Sequence, residues 1–350
     1  MDPTFWKNKS VFLTGHTGFK GGWIAHWLSE LGAQVHGFSL EPPSTPNFFT
    51  ETKLHEHLNS STIGDIRNLD QLKEAINQAK PDILIHMAAQ PLVRDSYNRP
   101  VETFSSNVIG TVNVLEAARD SGTIKAIVNI TTDKCYENRE WLWPYREGDR
   151  LGGRDPYSAS KACAELVASA YRNSFLAEAG IHLASVRAGN VIGGGDWASD
   201  RLIPDFLKAL DAGETLTIRS PDAVRPWQHV LEPLSGYLLL AEKLYKHDEG
   251  FAEAWNFGPN DADAKPVRWI VEQLCRSTLG AKWKAGMAKH PHEAGLLKVD
   301  SSKAKARLDW APRWNLQTAL SKTVEWHEAW REGADMYSIT SSQIRSYIET

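Results

Sequence analysis

The chain has 350 residues, of which 42% are hydrophobic and 23% are charged, and its formal net charge is −4. This composition is ordinary for a globular protein, and the length suits two structural units of roughly 100–200 residues each. The negative charge argues against a nucleic-acid or anionic-membrane surface, and the three cysteines show no spacing typical of a zinc site or a disulfide framework. No secretion signal and no long apolar run is found, so we expect a soluble protein of the reducing cytoplasm.

Short apolar runs alternate with helical patterns through the first half of the chain. Strands are predicted at 11–13, 35–40, 83–85, 126–130 and 184–186, and helices at 22–31, 69–79, 108–118 and 156–172. Strands that are apolar on both faces and alternate with helices indicate a parallel sheet covered on both sides. The first unit, 1–187, is therefore predicted to be a doubly wound α/β domain of the Rossmann type.

The pattern changes after Arg187, where glycine, proline and tryptophan interrupt shorter helical segments. We predict a smaller mixed α/β substrate-binding domain from 188–219 and 261–350, with a strand at 216–218. The stretch 220–260 is expected to return to the first domain and to add a strand at 253–258 to the main sheet. The polar tail, from residue 338 onward, is expected to be loosely held.

A glycine-rich turn follows the first predicted strand and opens the first predicted helix. Its glycines are Gly15, Gly18 and Gly21. Such a turn suits a dinucleotide, because the first glycine allows a tight turn, the second lets backbone approach phosphate and the third allows close helix packing. The pyrophosphate would then sit at the helix N-terminus.

The second strand should decide between NAD and NADP, because a 2′-phosphate needs a cation nearby. No Lys or Arg occurs between Lys20 and Lys53, and Ser39 and Glu41 are the polar residues at the strand end. These residues favour NAD. Asp65 is a candidate acceptor for the adenine amino group, or alternatively the N-cap of the helix that begins near residue 68.

Tyr157 and Lys161 are spaced four residues apart on one face of a predicted helix. A free tyrosine ionises near pH ~10, and a cation at ~4 Å in an effective dielectric of ~20 offers about 4 kcal/mol toward lowering that value. With the positive charge of an oxidised nicotinamide, we expect tyrosinate to come within reach of neutral pH. It could then remove the proton from a sugar hydroxyl while hydride leaves the same carbon.

The glycine turn, Asp65, Ala88-Ala89-Gln90, Asn107, Thr131-Thr132 and the Tyr157/Lys161 pair together resemble the extended short-chain dehydrogenase/reductase family over nearly the whole chain. This resemblance implies a nucleotide-sugar substrate and NAD as the cofactor. It also implies that Thr132 bonds the reacting sugar hydroxyl, that Lys161 binds the nicotinamide ribose, and that Asn107 is structural or close to the cofactor. The cofactor-binding residues that it implies are Gly15, Thr17, Gly18, Phe19, Gly21, Ser39, Asp65, Ile66, Ala88, Ala89, Gln90, Asn107, Tyr157 and Lys161.

Asp133 and Lys134 follow Thr132 directly, and this pair distinguishes a dehydratase from an epimerase. An epimerase oxidises and re-reduces one carbon, whereas a 4,6-dehydratase also needs a base for the C5 proton and an acid for the C6 hydroxyl. Sugar-nucleotide 4,6-dehydratases usually carry Thr-Asp-Glu here, and the Thr-Asp-Lys run resembles the branch that acts on CDP-glucose. We interpret Asp133 as the general acid and Lys134 as the base. Alternatively, Lys134 only stabilises the enolate, and water or Asp133 moves the proton.

Polar residues of the second half are candidates for substrate binding, because the arginine fork binds phosphate in a bidentate way. They are Asn190, Arg201, Arg219 and Arg225. His16 and Lys20 depart from the small or apolar residues common in this family's glycine turn. Lys20 either pairs with the pyrophosphate or crowds it, and we expect NAD to be held loosely.

Other functions stay open at this point. They are 4,6-dehydration of a dTDP-, UDP- or GDP-sugar, C4 epimerisation, and a non-catalytic dinucleotide-binding regulator, which would be expected to lack Tyr157 or Lys161. The resemblance also implies a homodimer or homotetramer assembled through helical faces of the first domain. It further implies a place in a bacterial dideoxysugar route toward surface polysaccharide such as the lipopolysaccharide O-antigen.

Overall fold

A computed structural model describes residues 2–248, 250–286 and 295–350. Its strands are β1 (Ser10–Thr14), β2 (Gln34–Ser39), β3 (Ser60–Ile63), β4 (Ile83–His86), β5 (Ala126–Ile130), β6 (His182–Ala188), β7 (Val191–Ile192), β8 (Thr215–Ile218), β9 (Val224–Pro226), β10 (Gln228–His229), β11 (Ala254–Phe257), β12 (Ala264–Pro266) and β13 (Lys282–Ala285).

The helices lie between these strands and after them. They are α1 (Phe19–Glu30), α2 (Phe48–Glu51), α3 (Leu69–Ala79), α4 (Val93–Asn98), α5 (Pro100–Phe104), α6 (Gly110–Asp120), α7 (Pro156–Tyr171), α8 (Leu202–Asp211), α9 (Leu231–Tyr245), α10 (Val267–Ser277), α11 (Ser302–Leu308), α12 (Leu316–Arg331) and α13 (Met336–Glu349). Within the three described ranges, no helix has the length and apolar character that a membrane crossing requires.

Seven strands form one parallel sheet in the order β11-β6-β5-β4-β1-β2-β3. The chain winds outward from β1 to β3 and then crosses to β4 on the other side of β1. This reversal is the topological switch point of a doubly wound sheet, where ligands bind at the carboxyl ends of the strands. The predicted fold class is confirmed, as is the returning strand, which pairs with β6 as β11.

Apolar residues on both faces of the strands explain why the sheet is covered on both sides. Every residue of β4 and β5 is buried. One core packs α1, α9 and α13 against the sheet, and a second core packs α3, α6 and α7 against the opposite face. The sheet is thereby held as the middle layer of three.

The strand register brings the ends of the central strands to one level. Thr14 at the end of β1 pairs with His86 at the end of β4, and His86 pairs with Asn129 near the end of β5. The segments that follow β1, β4 and β5 therefore meet at the same edge of the sheet. Those segments carry the glycine turn, Ala88-Ala89-Gln90 and the Thr132-Asp133-Lys134 run.

The second half contributes a third apolar core built from α8, α10, α12 and β8. Three two-stranded sheets accompany it: β7 with β10, β9 with β12, and β8 with β13. The predicted strand at 216–218 is β8. Residues 287–294, which belong to the predicted substrate-binding domain, lie outside the described residues.

The expectation of a loosely held tail is wrong. The tail forms α13, whose residues Met336, Ile344 and Tyr347 are buried. The Tyr347 hydroxyl donates to Glu232 Oε2 over 2.8 Å, and its ring meets Trp27 of α1. The buried stripe of α13 has only about one apolar side chain per turn, so the sequence of this segment is mostly polar and does not indicate a packed helix.

Candidate active site

The glycine turn leaves bare backbone where α1 begins. Gly15 has φ +85°, and a Cβ added there would lie 2.8 Å from Ala88 N. A Cβ at Gly21 would lie 2.0 Å from Gly15 O, so neither position accepts a side chain. The first backbone N–H groups of the 12-residue helix α1 face this turn without a capping side chain at Gly18. A phosphate is the ligand that such a helix N-terminus favours.

The two unusual residues of this turn are both engaged elsewhere. His16 is buried, its Nε2 lies 2.7 Å from Ser61 Oγ, and its ring fills the space above Gly37. Burial lowers the pKa of His16 to about 4, so it packs as a neutral ring.

Lys20 extends across the cleft, and its Nζ donates to the Tyr237 hydroxyl over 3.1 Å. Burial, followed by the positive charges of Lys161 and Arg201, lowers the pKa of Lys20 to about 7.

Asn107 fastens the loop that follows β4. Its Oδ1 accepts from Gln90 N over 2.8 Å, while its Nδ2 donates to Gln90 O over 3.1 Å and to Ser160 Oγ over 2.9 Å. Asn107 lies in a π-helical turn, Ser105–Ile109, a distortion that is frequent at functional sites. This side chain therefore ties the Ala88-Ala89-Gln90 loop to α7.

At the adenosine end of the predicted cofactor site, the end of β2 carries uncharged hydroxyl groups, and the carboxylate that follows β3 is paired with an arginine. Ser39 Oγ lies 2.8 Å from Thr17 Oγ1. Asp65 forms a salt bridge with Arg67, and Ile66 packs against Gly110. The alternative role of Asp65 as a helix N-cap is wrong, because Asn68 itself caps α3 by accepting from Gln71 N.

The turn after β5 carries the proposed proton-transfer groups. Thr132 Oγ1 donates to Asp133 Oδ1 over 3.1 Å and accepts from Lys134 N over 3.3 Å. Asp133 is 1% exposed, and its Oδ2 is buried without a hydrogen-bond partner among the described residues. Lys134 Nζ lies 3.6 Å from Asp133 Oδ1 with its side chain 25% exposed. An acid and an amine thus stand side by side at the carboxyl edge of the sheet.

Tyr157 and Lys161 occupy the first turns of α7, which Asp155 caps by accepting from Ser158 N. Both residues are buried. Lys161 Nζ donates to Ile130 O over 3.2 Å, which ties the helix to the end of β5. Burial lowers the pKa of Lys161 to about 8, and the Glu165 carboxylate opposes this shift.

The sequence predicts that Lys161 lowers the pKa of Tyr157, but the protein's own residues together raise it. Burial raises the pKa of Tyr157 to about 12, although its hydrogen bond with the Thr132 side chain acts in the opposite direction. The desolvation of the phenolate therefore outweighs the nearby cations. A further positive charge, such as that of an oxidised nicotinamide, is needed before Tyr157 can act as a base near neutral pH.

The candidate substrate residues differ in how firmly they are held. Arg201 Nη1 lies 2.9 Å from Asp196 Oδ2, and Arg219 Nη1 lies 2.6 Å from Asp200 Oδ1. Each of these two ion pairs is partly exposed.

Arg225, which we weighed against a solvated surface position, is 4% exposed and donates to the carbonyl oxygen of Val224 over 2.9 Å. Asn190 Oδ1 is buried with no hydrogen-bond partner in the part of the chain that the structure describes. It is thus a polar atom that a ligand could satisfy.

Two polar residues behind the turn after β5 are not among those predicted from the sequence. Glu165 and Arg187 are each 3% exposed and form a salt bridge of 2.9 Å. Their one sequence signal is the occurrence of a charge inside otherwise apolar runs of α7 and β6. Such a charge must be paired when it is buried.

The sequence matches the family described as GDP-mannose 4,6 dehydratase over residues 12–323. It is 54% identical to the CDP-glucose 4,6-dehydratase of Salmonella typhimurium, over 99% of this chain and 98% of that protein. It is 26% identical to the UDP-glucose 4-epimerase of Halalkalibacterium halodurans, over 91% of this chain and 96% of that protein.

Solved structures show the same fold. The dTDP-glucose 4,6-dehydratase of Bacillus anthracis in complex with NAD superposes with a TM-score of 0.77 at 23% identity, covering 94% of this chain and 99% of that one. The UDP-glucose 4-epimerase of Thermotoga maritima with UDP-glucose has a TM-score of 0.77 at 22% identity, covering 91% and 98% of the two chains.

Proposed function

This chain belongs to the GDP-mannose 4,6 dehydratase family, and from that premise we propose that it converts CDP-D-glucose to CDP-4-dehydro-6-deoxy-D-glucose and water. The observation that carries the proposal is the buried turn on which Asp133 and Lys134 stand 3.6 Å apart beside the catalytic tyrosine. An epimerase has no use for that second acid–base pair. The 54% identical relative supports CDP-glucose as the substrate.

We propose that the chain uses NAD, and the residues of the cleft fit it. Gly15 and Gly21 let the turn pack closely against Ala88 and against itself, Gly18 presents no side chain where α1 begins, and Ser39 offers a neutral contact where a 2′-phosphate would require a cation. When bound, NAD supplies a temporary hydride acceptor that takes hydride from C4 and returns it to C6, so no net oxidation results. Because His16 packs on Ser61 and Lys20 donates to Tyr237, neither side chain is committed to a pyrophosphate, and we propose that NAD is held loosely; loss of NAD on dialysis tests this.

The protein's own groups then handle the protons. Tyr157 takes the proton of the C4 hydroxyl, and Thr132 holds that hydroxyl in place. Lys161 stabilises the tyrosinate. The resulting C4 ketone acidifies the C5 proton, which Lys134 removes, while Asp133 gives a proton to the departing C6 hydroxyl to form water. Lys134 then returns its proton to C5, and exchange with solvent restores the starting protonation of Tyr157 and Asp133.

The diphosphate and nucleoside are assigned to the second half of the chain. Arg201 and Arg219 are held by Asp196 and Asp200 in partly exposed pairs, so a phosphate can replace either carboxylate. Asn190 Oδ1, which is buried and unpartnered among the described residues, is available to a ligand donor. Arg225 binds backbone carbonyls and is proposed to shape the same wall.

We further propose a homodimer or a dimer of dimers in the cytoplasm, acting in a bacterial route to surface polysaccharide. Exposed apolar side chains on α5, on the π-helical turn after it and on α7 support such assembly. They are Val101, Phe104, Ile109 and Leu166. Apolar surface on neighbouring helices is typical of protein contacts. Sedimentation equilibrium would show a mass of two or four chains, and a monomer would contradict this assignment.

A comparison of nucleotide sugars tests the proposed function. The protein is incubated with catalytic NAD and, separately, with CDP-, dTDP-, UDP- or GDP-linked sugar. We expect a 4-keto-6-deoxy product from CDP-glucose alone, with no lasting absorbance of reduced cofactor. A C4 epimer as product, or reduced cofactor formed in equal amount to product, would contradict the proposal, and inertness toward all four would favour a non-catalytic role.

A further inference from the structure

A buried ion pair joins the catalytic helix to the sheet. Arg187 of β6 donates through Nε to Glu165 Oε1 and through Nη2 to Glu165 Oε2, each over 2.9 Å. Both side chains are 3% exposed. The two parallel hydrogen bonds fix the guanidinium and the carboxylate in one plane, which gives this pair more geometric definition than a single contact would.

Each member of the pair also holds one end of the catalytic turn. Thr131, the residue before Thr132, donates its hydroxyl to Glu165 Oε1. Tyr136, two residues after Lys134, accepts at its hydroxyl oxygen from Arg187 Nη1 over 2.8 Å. The same hydroxyl donates to Asn256 Oδ1 over 2.7 Å, so its orientation is fixed as well.

We propose that Glu165 and Arg187 are positioning residues, which clamp the segment from Thr131 to Tyr136 at both ends and thereby set where the three groups between them stand relative to the substrate. The inference rests on the proposed function, since these groups are the ones assigned to the dehydration. The pair itself touches no reacting atom in this assignment.

The clamp has a physical rationale in the chemistry of the turn. Two steps on neighbouring carbons require Thr132 and Lys134 to keep a fixed separation, and a misplacement of about 1 Å can cost roughly 100-fold in rate. Hydrogen bonds to charged partners are stronger than neutral ones. The bond from Lys161 Nζ to Ile130 O adds an anchor immediately before the clamped segment.

Glu165 has a second effect that supports the assignment. It lies four residues after Lys161 on the same helix, and its carboxylate opposes the burial that lowers the pKa of the Lys161 ammonium. One carboxylate thus acts on both the turn and the catalytic helix.

The two ends of the clamp can be released separately. Thr131→Val removes the hydroxyl that Glu165 accepts from, and Thr131→Ser keeps it. We expect the valine variant to lose about 10-fold or more in kcat with little change in KM, and the serine variant to recover most of the rate. Because Thr132 is the nearest reacting residue, the kinetic isotope effect of CDP-glucose deuterated at C4 should increase in Thr131→Val.

Tyr136→Phe releases the other end. We expect slower removal of the C5 proton relative to oxidation at C4, so the absorbance of reduced cofactor should persist during turnover. Tyr347→Phe is the matched control, because it too removes a buried hydroxyl bonded to a charged network but lies on α13. It should lower the melting temperature without changing KM, kcat or the isotope effect.

Amide hydrogen exchange of residues 132–135 needs no substrate and separates this inference from the proposed function. Faster exchange there in Thr131→Val and Tyr136→Phe, but not in Tyr347→Phe, would support the clamp even if wild type were inert toward CDP-glucose. Exchange in the turn equal to wild type in both variants would overturn it, as would kinetic changes no larger than those of Tyr347→Phe in an active wild type.

Discussion

The charged residues behind the turn after β5 and the candidate substrate arginines use the same kinds of side chain in opposite ways. Lys161, Glu165 and Arg187 are buried, and their charges are bonded to backbone or to each other. Arg201 and Arg219 are partly exposed, and each is held by a single aspartate. Under the proposed function, we expect the reacting groups to be positioned by charges that are fixed before the substrate arrives, whereas substrate binding would replace the aspartate partner of an arginine by a phosphate.

The largest effect is expected from Tyr157→Phe, in the region where the charged groups are buried. Loss of the hydroxyl removes the base for the C4 proton, and general-base catalysis contributes roughly 10²–10⁴-fold in rate. Turnover should fall by roughly 10²-fold or more, while the melting temperature changes little. The control is Tyr171→Phe on the same helix, which loses only a half-buried bond to Glu116. A Tyr157→Phe enzyme of wild-type rate would refute the assignment.

Lys134 is the next most informative position, because two roles are open to it. Lys134→Met should lower kcat by roughly 100-fold. Reduced cofactor should accumulate, because oxidation at C4 would then be faster than the elimination that follows it. Lys134→Arg separates the roles. Arginine keeps the charge but cannot serve as a base. Activity of the arginine variant near wild type would show that Lys134 stabilises the enolate, and inactivity equal to Lys134→Met would show that it moves the proton.

Among the partly exposed arginines, Arg219→Gln should affect substrate binding more than the rate of the chemical steps. Replacing one charge-assisted contact to phosphate is expected to raise KM for CDP-glucose about 10-fold while kcat stays near wild type. Arg268→Gln is the matched control, because Arg268 forms a similar but more exposed pair with Asp222. An equal loss in kcat with unchanged KM would place Arg219 in the chemistry and would weaken the comparison between the two regions.

The smallest expected shift is that of the pH profile in Glu165→Gln, and it is measured from the shape of the profile because loss of the buried pair with Arg187 also lowers turnover and stability. Burial has lowered the pKa of Lys161 to about 8, so its ammonium is lost, and turnover declines, as pH rises through that range. Removing the carboxylate that opposes this shift should move the alkaline limb to lower pH, by less than about one unit. Glu232→Gln removes another buried carboxylate, one on α9, and should leave the limb unchanged.

The sequence was sufficient where the evidence is local. The apolar strands predicted the doubly wound sheet, and the glycine turn and the Tyr157/Lys161 spacing each lie within a few residues of one another. The tail could not be read correctly, because its buried stripe becomes visible only once α1 supplies the surface that it covers. Contacts across long separations were likewise hidden.

The hydrogen bond from Lys20 to Tyr237 joins residues 217 positions apart, and no sequence pattern in either segment predicts it. The pKa of Tyr157 was also beyond reach, because the charge argument considered its neighbours but not its burial. Pairing partners and desolvation both depend on the assembled fold, and these are the features of the site that a sequence pattern does not contain.

The central claim is that oxidation at C4 is a temporary step toward loss of water. It is tested most directly with CDP-glucose deuterated at C4, converted in ordinary water with catalytic NAD. The account predicts a 4-keto-6-deoxy product that carries the deuterium at C6. Deuterium retained at C4 of an inverted sugar, or found on reduced cofactor in equal amount to product, would contradict it.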